Sequence, residues 1–270
     1  MRNNQRRTGQ DPEASPGPNP AMAFASPTEF VELPSCGEFY AEDHPLYKQE
    51  TVEIRFMTAK DEDILTSEAL LKKGLALDRL LENLLVPDVD PGTLLMGDRN
   101  ALIIAARISA YGNEYKVTIR CKECTATEEI DFDLKAASTH DACFDKEYLR
   151  EEGIVFNKQT QTFDLTLATS GVEVGLRLLD GRAERKMFKK DNDKNRVTSL
   201  LSTFLVKVNG STDFDTVADF IDAMPAKDSR YLRKIFPKLT PAIELSKLHR
   251  CENCLHTEET EVPLSAEFFW

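Results

Sequence analysis

The ten residues RCKECTATEE at positions 120–129 return, in altered form, as RCENCLHTEE at positions 250–259. One arginine, both cysteines, one threonine and both glutamates repeat at one constant offset in the numbering, since 251 − 121 and 254 − 124 both equal 130. A CxxC turn presents two thiolates on one side of a tight loop, which is half of a tetrahedral zinc shell. These two turns, the first and second knuckles, therefore predict one structural zinc ion bound by Cys121, Cys124, Cys251 and Cys254.

The residues around the knuckles distinguish this interpretation from other uses of CxxC. Each knuckle lies between two strand-like segments, which is typical of a zinc-ribbon hairpin, whereas a redox CxxC usually opens a helix. Thiols without a metal are the other alternative. His256 could replace one sulfur, but the first knuckle has Ala126 at that position, so the symmetry favours four thiolates. Cys36 and Cys143 stand alone and are interpreted as small, half-buried residues.

Composition excludes several classes of protein. The chain has 270 residues, of which 41% are hydrophobic and 30% charged, with a formal net charge of −12. An acidic chain is repelled by phosphate, so we expect no nucleic acid partner. No apolar run is long enough for a membrane span, and the arginines near the N-terminus precede no signal-like stretch, so we expect a soluble protein in a reducing compartment.

No motif in the sequence indicates catalysis. A Gly-rich phosphate loop, a nucleophile elbow and an HExxH helix are all absent. Four thiolates fill the coordination shell of zinc, which leaves no open position for a substrate. We therefore predict no catalytic residues, no bound small-molecule cofactor and no small-molecule substrate.

The patterns up to the first knuckle predict a strand, three helices and a β-hairpin. Alternating apolar residues indicate a strand over 51–57, and Thr58 with Asp61 three residues later predicts a helix start. Helical spacing of leucines and isoleucines predicts further helices over 75–85 and from Gly97 to Ala110. Strands at 115–119 and 130–134 enclose the first knuckle.

The same order of elements returns after residue 160. A strand-like pattern over 165–179 is followed by predicted helices from 181, over 197–206 and from 226 to 236, with a short piece at 214–221. Segments 242–248 and 259–264 flank the second knuckle. In this alignment Val52–Phe56 matches Val174–Leu178, and Leu80–Val86 matches Leu200–Val206, so the sequence predicts an internal duplication at a long period.

The predicted fold is therefore α+β, with two tandem related halves that share one four-cysteine knuckle pair. We expect a disordered tail over 1–27, a first half over 28–135, a linker over 136–160 and a second half over 161–270. The tail is rich in proline, asparagine, glutamine and serine and lacks apolar periodicity.

Aromatic residues are candidates for partner contacts. The segment 264–270 contains Phe268, Phe269 and Trp270, which either fold back on the core or anchor in a neighbouring protein. Phe39 and Tyr40 lie in a turn-rich loop at the start of the folded sequence. We predict that these five aromatic residues contact other proteins.

Three stretches give the chain a family resemblance. They are LPSCGEFY at 33–40, MTAKDEDILT at 57–66, and the helix that begins with GDRNA at 97–101 and ends with RISAYG at 107–112. Together with the following knuckle they resemble the baseplate protein family of T4-like contractile-tailed phages, usually assigned to the baseplate hub. The similarity is strongest over residues 30–134.

The resemblance implies a virion protein of the tail baseplate, made in the bacterial cytoplasm, that binds other tail proteins and catalyses nothing. It leaves two roles open, because such a protein either stays in the finished baseplate or acts only during hub assembly as a chaperone. Two further classes are alternatives: a zinc-ribbon regulator that binds nucleic acid, which the acidic charge disfavours, and a metallohydrolase, which the closed metal shell disfavours.

Overall fold

A computed structural model describes residues 27–136, 138–140, 146–190, 196–262, 264 and 266–269. The helices are α1 (Ala59–Leu65), α2 (Glu68–Lys73), α3 (Ala76–Leu84), α4 (Met96–Tyr111), α5 (Lys146–Glu151), α6 (Gly181–Lys190), α7 (Arg196–Phe204), α8 (Phe214–Ala223) and α9 (Ala226–Leu239). The strands are β1 (Thr28–Glu32), β2 (Thr51–Arg55), β3 (Glu114–Arg120), β4 (Thr127–Asp133), β5 (Ser138–His140), β6 (Val155–Asn157), β7 (Thr162–Thr166), β8 (Glu173–Leu176), β9 (Leu205–Val208), β10 (Ala242–Glu244), β11 (Ser246–Arg250) and β12 (Thr257–Glu261). Short 3₁₀ turns cover Pro91–Thr93, Leu134–Ala136 and Ala266–Phe269.

The fold is a mixed α/β structure with small sheets. One sheet has the strand order β6-β7-β8-β9, and four strand pairs are β1-β2, β3-β4, β5-β10 and β11-β12. Every strand pair among the described residues is antiparallel. No helix in the described ranges is both long and apolar enough to cross a membrane.

Both halves join a hairpin strand to the residue that follows a helix. In the first half Leu85, which follows α3, forms an antiparallel bridge with Ile54 of β2. In the second half Leu205, which follows α7, pairs with Leu176 of β8. All four side chains are buried. These are the positions that the sequence alignment matched, so each helix is attached to its sheet at the same place.

Each half also buries an aspartate at the third residue of a helix. Asp98 in α4 accepts hydrogen bonds from the Ser35 backbone N at 2.9 Å, the Ser35 hydroxyl at 2.5 Å and the Tyr40 hydroxyl at 2.8 Å. Asp228 in α9 accepts from the backbone N atoms of Ser170 at 2.9 Å and Thr169 at 3.1 Å. The offset between the two aspartates, 228 − 98, is the same as the offset between the cysteines, 251 − 121. Each aspartate connects a helix start to the loop of a β-hairpin.

The segments that were predicted as two halves contact each other along α4 and α6. The backbone N of Met96 donates to the Leu179 carbonyl at 3.0 Å, and the backbone N of Gly181 donates to the Leu94 carbonyl at 3.1 Å. Gly97 lies so close to the Pro241 carbonyl that a Cβ atom there would collide with it. Glycine is therefore required at this point of α4 by the approach of the second half.

A buried ion cluster adds to this contact. Arg99 of α4 bonds Asp78 of α3 at 3.2 Å and Glu184 of α6 at 2.9 Å, and its side chain is 7% exposed. Arg185 of α6 bonds the other oxygen of Asp78 at 2.9 Å. The charges are mutually neutralised, which a buried ionic group requires.

The observed elements differ from the sequence prediction in several segments, and β1 and α2 lie where no separate strand or helix was predicted. Residues 197–206 were expected to be helical, but the helix ends at Phe204 and β9 follows. The pattern over 165–179 covers two strands, β7 and β8, joined by a turn. The expected linker 136–160 contains β5, α5 and β6, and β6 places Phe156 against Phe163 with ring centroids 4.9 Å apart. The predicted disordered tail, residues 1–27, lies outside the described residues except for residue 27.

Candidate metal centre

The two knuckles have the same backbone hydrogen bonds. The Cys121 backbone N donates to the Ala126 carbonyl at 2.9 Å, and the Thr125 backbone N donates to the Cys121 carbonyl at 3.0 Å. In the second knuckle the equivalent bonds run from Cys251 to His256 at 2.8 Å and from Leu255 to Cys251 at 2.9 Å. Each knuckle thus closes one tight turn between two strands, β3 and β4 or β11 and β12.

Both turns place a residue other than glycine in the left-handed region. The φ angles are +60° at Thr125 and +61° at Leu255. A threonine or a branched aliphatic residue adopts this conformation at an energetic cost. Both knuckles nevertheless contain a residue in this conformation, and in each knuckle the two sulfurs lie on one side of the turn.

The structure brings the four cysteine sulfurs together. The Sγ atoms of Cys121 and Cys254 are 3.7 Å apart, those of Cys124 and Cys251 are 3.6 Å apart, and all four lie within 4.8 Å of one another. A tetrahedron with zinc–sulfur bonds of about 2.3 Å has edges of about 3.8 Å. The sulfurs are too far apart for a disulfide, and their spacing matches a shared metal ion.

The inner sulfurs are protected and the outer ones are accessible. Cys121 and Cys251 are 4% and 1% exposed, whereas Cys124 is half-buried and Cys254 is exposed. A hydrogen bond from Asn253 lowers the pKa of Cys124 to about 6. The carboxylate of Glu128, 3.0 Å from the Cys251 sulfur, raises the pKa of Cys251 to about 12. A metal ion that binds here must therefore displace a proton from Cys251.

Two glutamates cross between the knuckles. Glu128 of the first hairpin accepts from the Glu252 backbone N at 3.0 Å, and Glu258 of the second accepts from the Lys122 backbone N at 3.4 Å. These contacts are equivalent, since 258 − 128 and 252 − 122 both equal 130. Each glutamate therefore caps the CxxC turn of the opposite hairpin.

The surroundings of these glutamates differ. Glu128 also contacts His249 Nε2 at 2.7 Å, whereas Glu258 forms an ion pair with Lys122 Nζ at 2.8 Å. His256, the alternative ligand in the sequence, is not part of the four-residue group that is close enough to bind one ion among the described residues. Sequence analysis did not identify the role of His249 or of the crossing glutamates.

The aromatic residues predicted to contact partners lie mostly in the core. Phe268 and Phe269 are 0% and 1% exposed, and the Phe268 ring packs edge-on against Tyr115 with centroids 4.9 Å apart. Arg107 Nε donates to the Phe268 carbonyl at 3.2 Å. Of the two alternatives for this segment, the structure shows the fold back onto the core. Trp270 lies outside the described residues.

The loop aromatics are buried as well. Tyr40 donates to Asp98 and accepts from the Leu95 backbone N at 3.0 Å, and Phe39 packs edge-on against Phe156 with centroids 5.0 Å apart. Tyr40 and Phe39 are 4% and 8% exposed. Phe39, Tyr40, Phe268 and Phe269 are therefore buried within the chain itself, and their contact with partners stays a prediction.

Comparison with known proteins gives one family. The family model described as T4 bacteriophage base plate protein matches residues 28–270, which is most of the chain. No curated protein and no solved structure gives a significant match. The family match confirms the resemblance based on the motifs at 33–40, 57–66 and 97–112.

Proposed function

Since the chain belongs to the T4 bacteriophage base plate protein family, we propose that it is a resident structural subunit of a phage baseplate, located in the hub region. The family describes structural components of the phage tail, and the match over residues 28–270 is the observation that carries the proposal. The subunit binds other tail proteins in the virion and catalyses no reaction. It is made in the cytoplasm of the host bacterium.

The metal in this proposal is a structural zinc ion. Four thiols within 4.8 Å of one another, on two turns of equal geometry, fit a tetrahedral ion with sulfur ligands. Cys121, Cys124, Cys251 and Cys254 would bind it. A bound ion would supply a cross-link between hairpins that are far apart in the chain, and four sulfur ligands leave no position for a substrate.

The domain organisation that supports this role is a pair of related halves, 28–135 and 161–270, joined by 136–160. The support comes from equivalent details: the pairs Ile54–Leu85 and Leu176–Leu205, the buried Asp98 and Asp228, and the crossing glutamates. A duplicated unit explains why these details recur at similar offsets, since 205 − 85 equals 120 and 228 − 98 equals 130.

The proposal is tested by the composition of purified phage tails. We expect the chain in stoichiometric amounts with other baseplate proteins, and we expect phage that lack it to stop at incomplete baseplates. If assembly needs the chain but purified tails lack it, the chain is an assembly chaperone and not a resident subunit. If tails form normally without it, the proposal is wrong.

Two further measurements test the structural zinc ion and the expected absence of a nucleic-acid partner. Metal analysis of the purified protein should find one zinc ion per chain, and a result of no bound metal would overturn the structural zinc. A gel shift at low salt should show no binding of DNA or RNA, because the acidic surface repels phosphate. Specific binding there would favour the nucleic-acid regulator instead.

A further inference from the structure

Helix α9 carries a basic stripe in an acidic protein. Its exposed face has Lys227, Arg230, Lys234 and Lys238, at spacings of three and four residues that place them on one side, with Arg233 beside them. The only acidic residue of the helix, Asp228, is 2% exposed and bonded to the loop 169–170. The outer face of α9 is therefore purely cationic, although the chain has a net charge of −12.

The preceding helix has the opposite charge. In α8, Asp215, Asp219 and Asp222 are exposed and lie on one face at spacings of four and three residues. The helix contains no basic residue, and none of these three forms an ion pair with another residue that the structure describes. Phe214 at its start is 78% exposed. Thus α8 presents an acidic stripe beside the exposed ring of Phe214, and α9, the next helix in the chain, presents a basic stripe.

We propose that α8 and α9 form a self-complementary surface that binds a second copy of this chain around a twofold axis. In such a contact the acidic stripe of one copy faces the basic stripe of the other, and the reverse holds on the other side of the axis. Only Met224 and Pro225 separate α8 from α9 in the chain, and the proposal places both stripes on the surface around this connection. The contact also covers Phe214, whose exposure is otherwise unfavourable.

Charge favours a protein partner over a nucleic acid. Phosphate groups attracted to α9 would also meet the aspartates of α8, the helix that precedes it in the chain. A second copy offers both signs in the arrangement needed, and complementary patches set the orientation of association. This inference goes beyond the proposed baseplate role and needs neither the metal nor any other tail protein.

The test exchanges charges on the two helices of the full-length protein. The acidic-stripe variant carries Asp215→Lys, Asp219→Lys and Asp222→Lys, and the basic-stripe variant carries Lys227→Glu, Arg230→Glu and Lys234→Glu. Mass in solution is measured by light scattering after size-exclusion chromatography at physiological ionic strength. We expect the unchanged protein to approach twice the mass of one chain as concentration rises, and each variant alone to stay at the mass of one chain.

A mixture of the two variants gives the decisive result. In a mixed dimer one contact joins the two substituted stripes and the other joins the two unchanged stripes, and the charges are opposite at both, so we expect the mixture to regain twice the mass. A control matched to the basic-stripe variant, Lys60→Glu with Lys72→Glu and Lys73→Glu, makes the same charge change on exposed positions of α1 and α2 and should leave association unchanged. If the unchanged protein is monomeric at all concentrations, or if the mixture does not associate, the proposal is wrong. Circular dichroism checks that each variant is folded.

Discussion

The two knuckles share their backbone geometry but differ in the side chains around it. The turn hydrogen bonds, the left-handed residues Thr125 and Leu255, and the crossing glutamates are equivalent at the offset that separates the cysteines. In contrast, Glu128 has His249 and Cys251 as neighbours, whereas Glu258 has Lys122. The comparison shows that the contacts which orient the sulfurs are the same in both knuckles, while the charged groups near the sulfurs differ.

The two buried aspartates also have equivalent positions but differ in their electrostatics. Asp98 and Asp228 have equivalent places in α4 and α9, but burial raises the pKa of Asp98 despite its three donors. At Asp228 burial acts in the same direction, but hydrogen bonds from Ser170 and Thr169 outweigh it and lower the pKa. The pKa values of the two carboxylates therefore shift in opposite directions, although both are buried and both connect a helix start to a hairpin loop.

Loss of a single sulfur should have the largest effect, and it should be equal in the two knuckles. Structural zinc contributes on the order of 10 kcal/mol of binding free energy in small zinc domains. We expect Cys121→Ser and Cys251→Ser each to lose the metal and to unfold at a clearly lower temperature. Metal analysis and thermal unfolding measure this, with Cys36→Ser as the control that keeps the metal. Loss of metal from only one of the two variants would break the equivalence of the knuckles.

Removal of either buried aspartate should destabilise the protein, and the loss of unfolding free energy should be larger for Asp98 than for Asp228. Asp98→Ala leaves three donors without an acceptor in the core, so we expect it to lower the free energy of unfolding by roughly 3–5 kcal/mol. Asp228→Ala leaves two backbone donors, with an expected loss of roughly 1–3 kcal/mol. Urea unfolding measures both, and Asp63→Ala at an exposed position of α1 is the control. Equal losses would contradict the expectation that three unpaired donors cost more than two.

Acid should destabilise the first half through Asp61. Burial alone would raise its pKa, but hydrogen bonds from Arg55 and Thr58 outweigh this and lower the pKa of Asp61 to about 2 from 3.8. A lowered folded-state pKa stabilises the protein above pH 4, and that stability is lost as the pH falls towards 2. Because Arg55 is partly exposed and water screens the pair, the contribution is about 1–2 kcal/mol.

The substitution Asp61→Asn should remove this part of the pH dependence, measured as urea unfolding between pH 6 and pH 3. Asp63→Asn, an exposed position on the same helix, is the matched control and should leave the dependence unchanged. In the second half the corresponding helix start uses Asp180, which accepts from the Ala183 backbone N at 2.7 Å. An unchanged pH profile for Asp61→Asn would show that its ion pair with Arg55 does not stabilise the fold.

The smallest expected difference in stability is between variants of the two crossing glutamates, Glu128 and Glu258. In the presence of a chelator, Glu128→Ala should lower the midpoint of urea unfolding, because it removes the contacts to His249 and to the Glu252 backbone N. Glu258→Ala removes an ion pair with the exposed Lys122, so we expect a smaller shift of the midpoint. Glu129→Ala and Glu259→Ala are exposed controls one position along. A larger shift for Glu258→Ala would reverse the comparison.

Local chemistry explains what the sequence predicted well. The CxxC turns, the helix start at Thr58 with Asp61, and the helices α3, α4 and α9 depend on residues that are neighbours in the chain, so spacing alone indicates them. The closeness of the four sulfurs was predictable because both knuckles have the same flanks. The motifs at 33–40 and 57–66 also identified the family.

Contacts between distant segments explain what the sequence could not predict. Strands β5 and β6 are three residues long and pair with β10 and β7, so no periodicity reveals them. The segment 200–208, which is apolar except for Ser202, Thr203 and Lys207, fits a helix or a strand, and only pairing with β8 decides where the helix stops. Asp98 and Asp228 look like ordinary helix-start acids until hairpin loops from elsewhere cover them. The offset that they share with the cysteines was the one available signal.

Phe268 contacts Tyr115 and also Arg107, which lies 161 residues earlier in the chain. The direction of synthesis therefore limits when these contacts can form. A ribosome that adds about 5–20 residues per second needs on the order of ten seconds to pass from the first segment to the second. Throughout that interval the nascent first half has neither the aromatic cover of its core nor the second pair of sulfurs. The protein can reach its final form only after residue 269 has been made, which delays any binding surface that depends on that form until translation has passed this point.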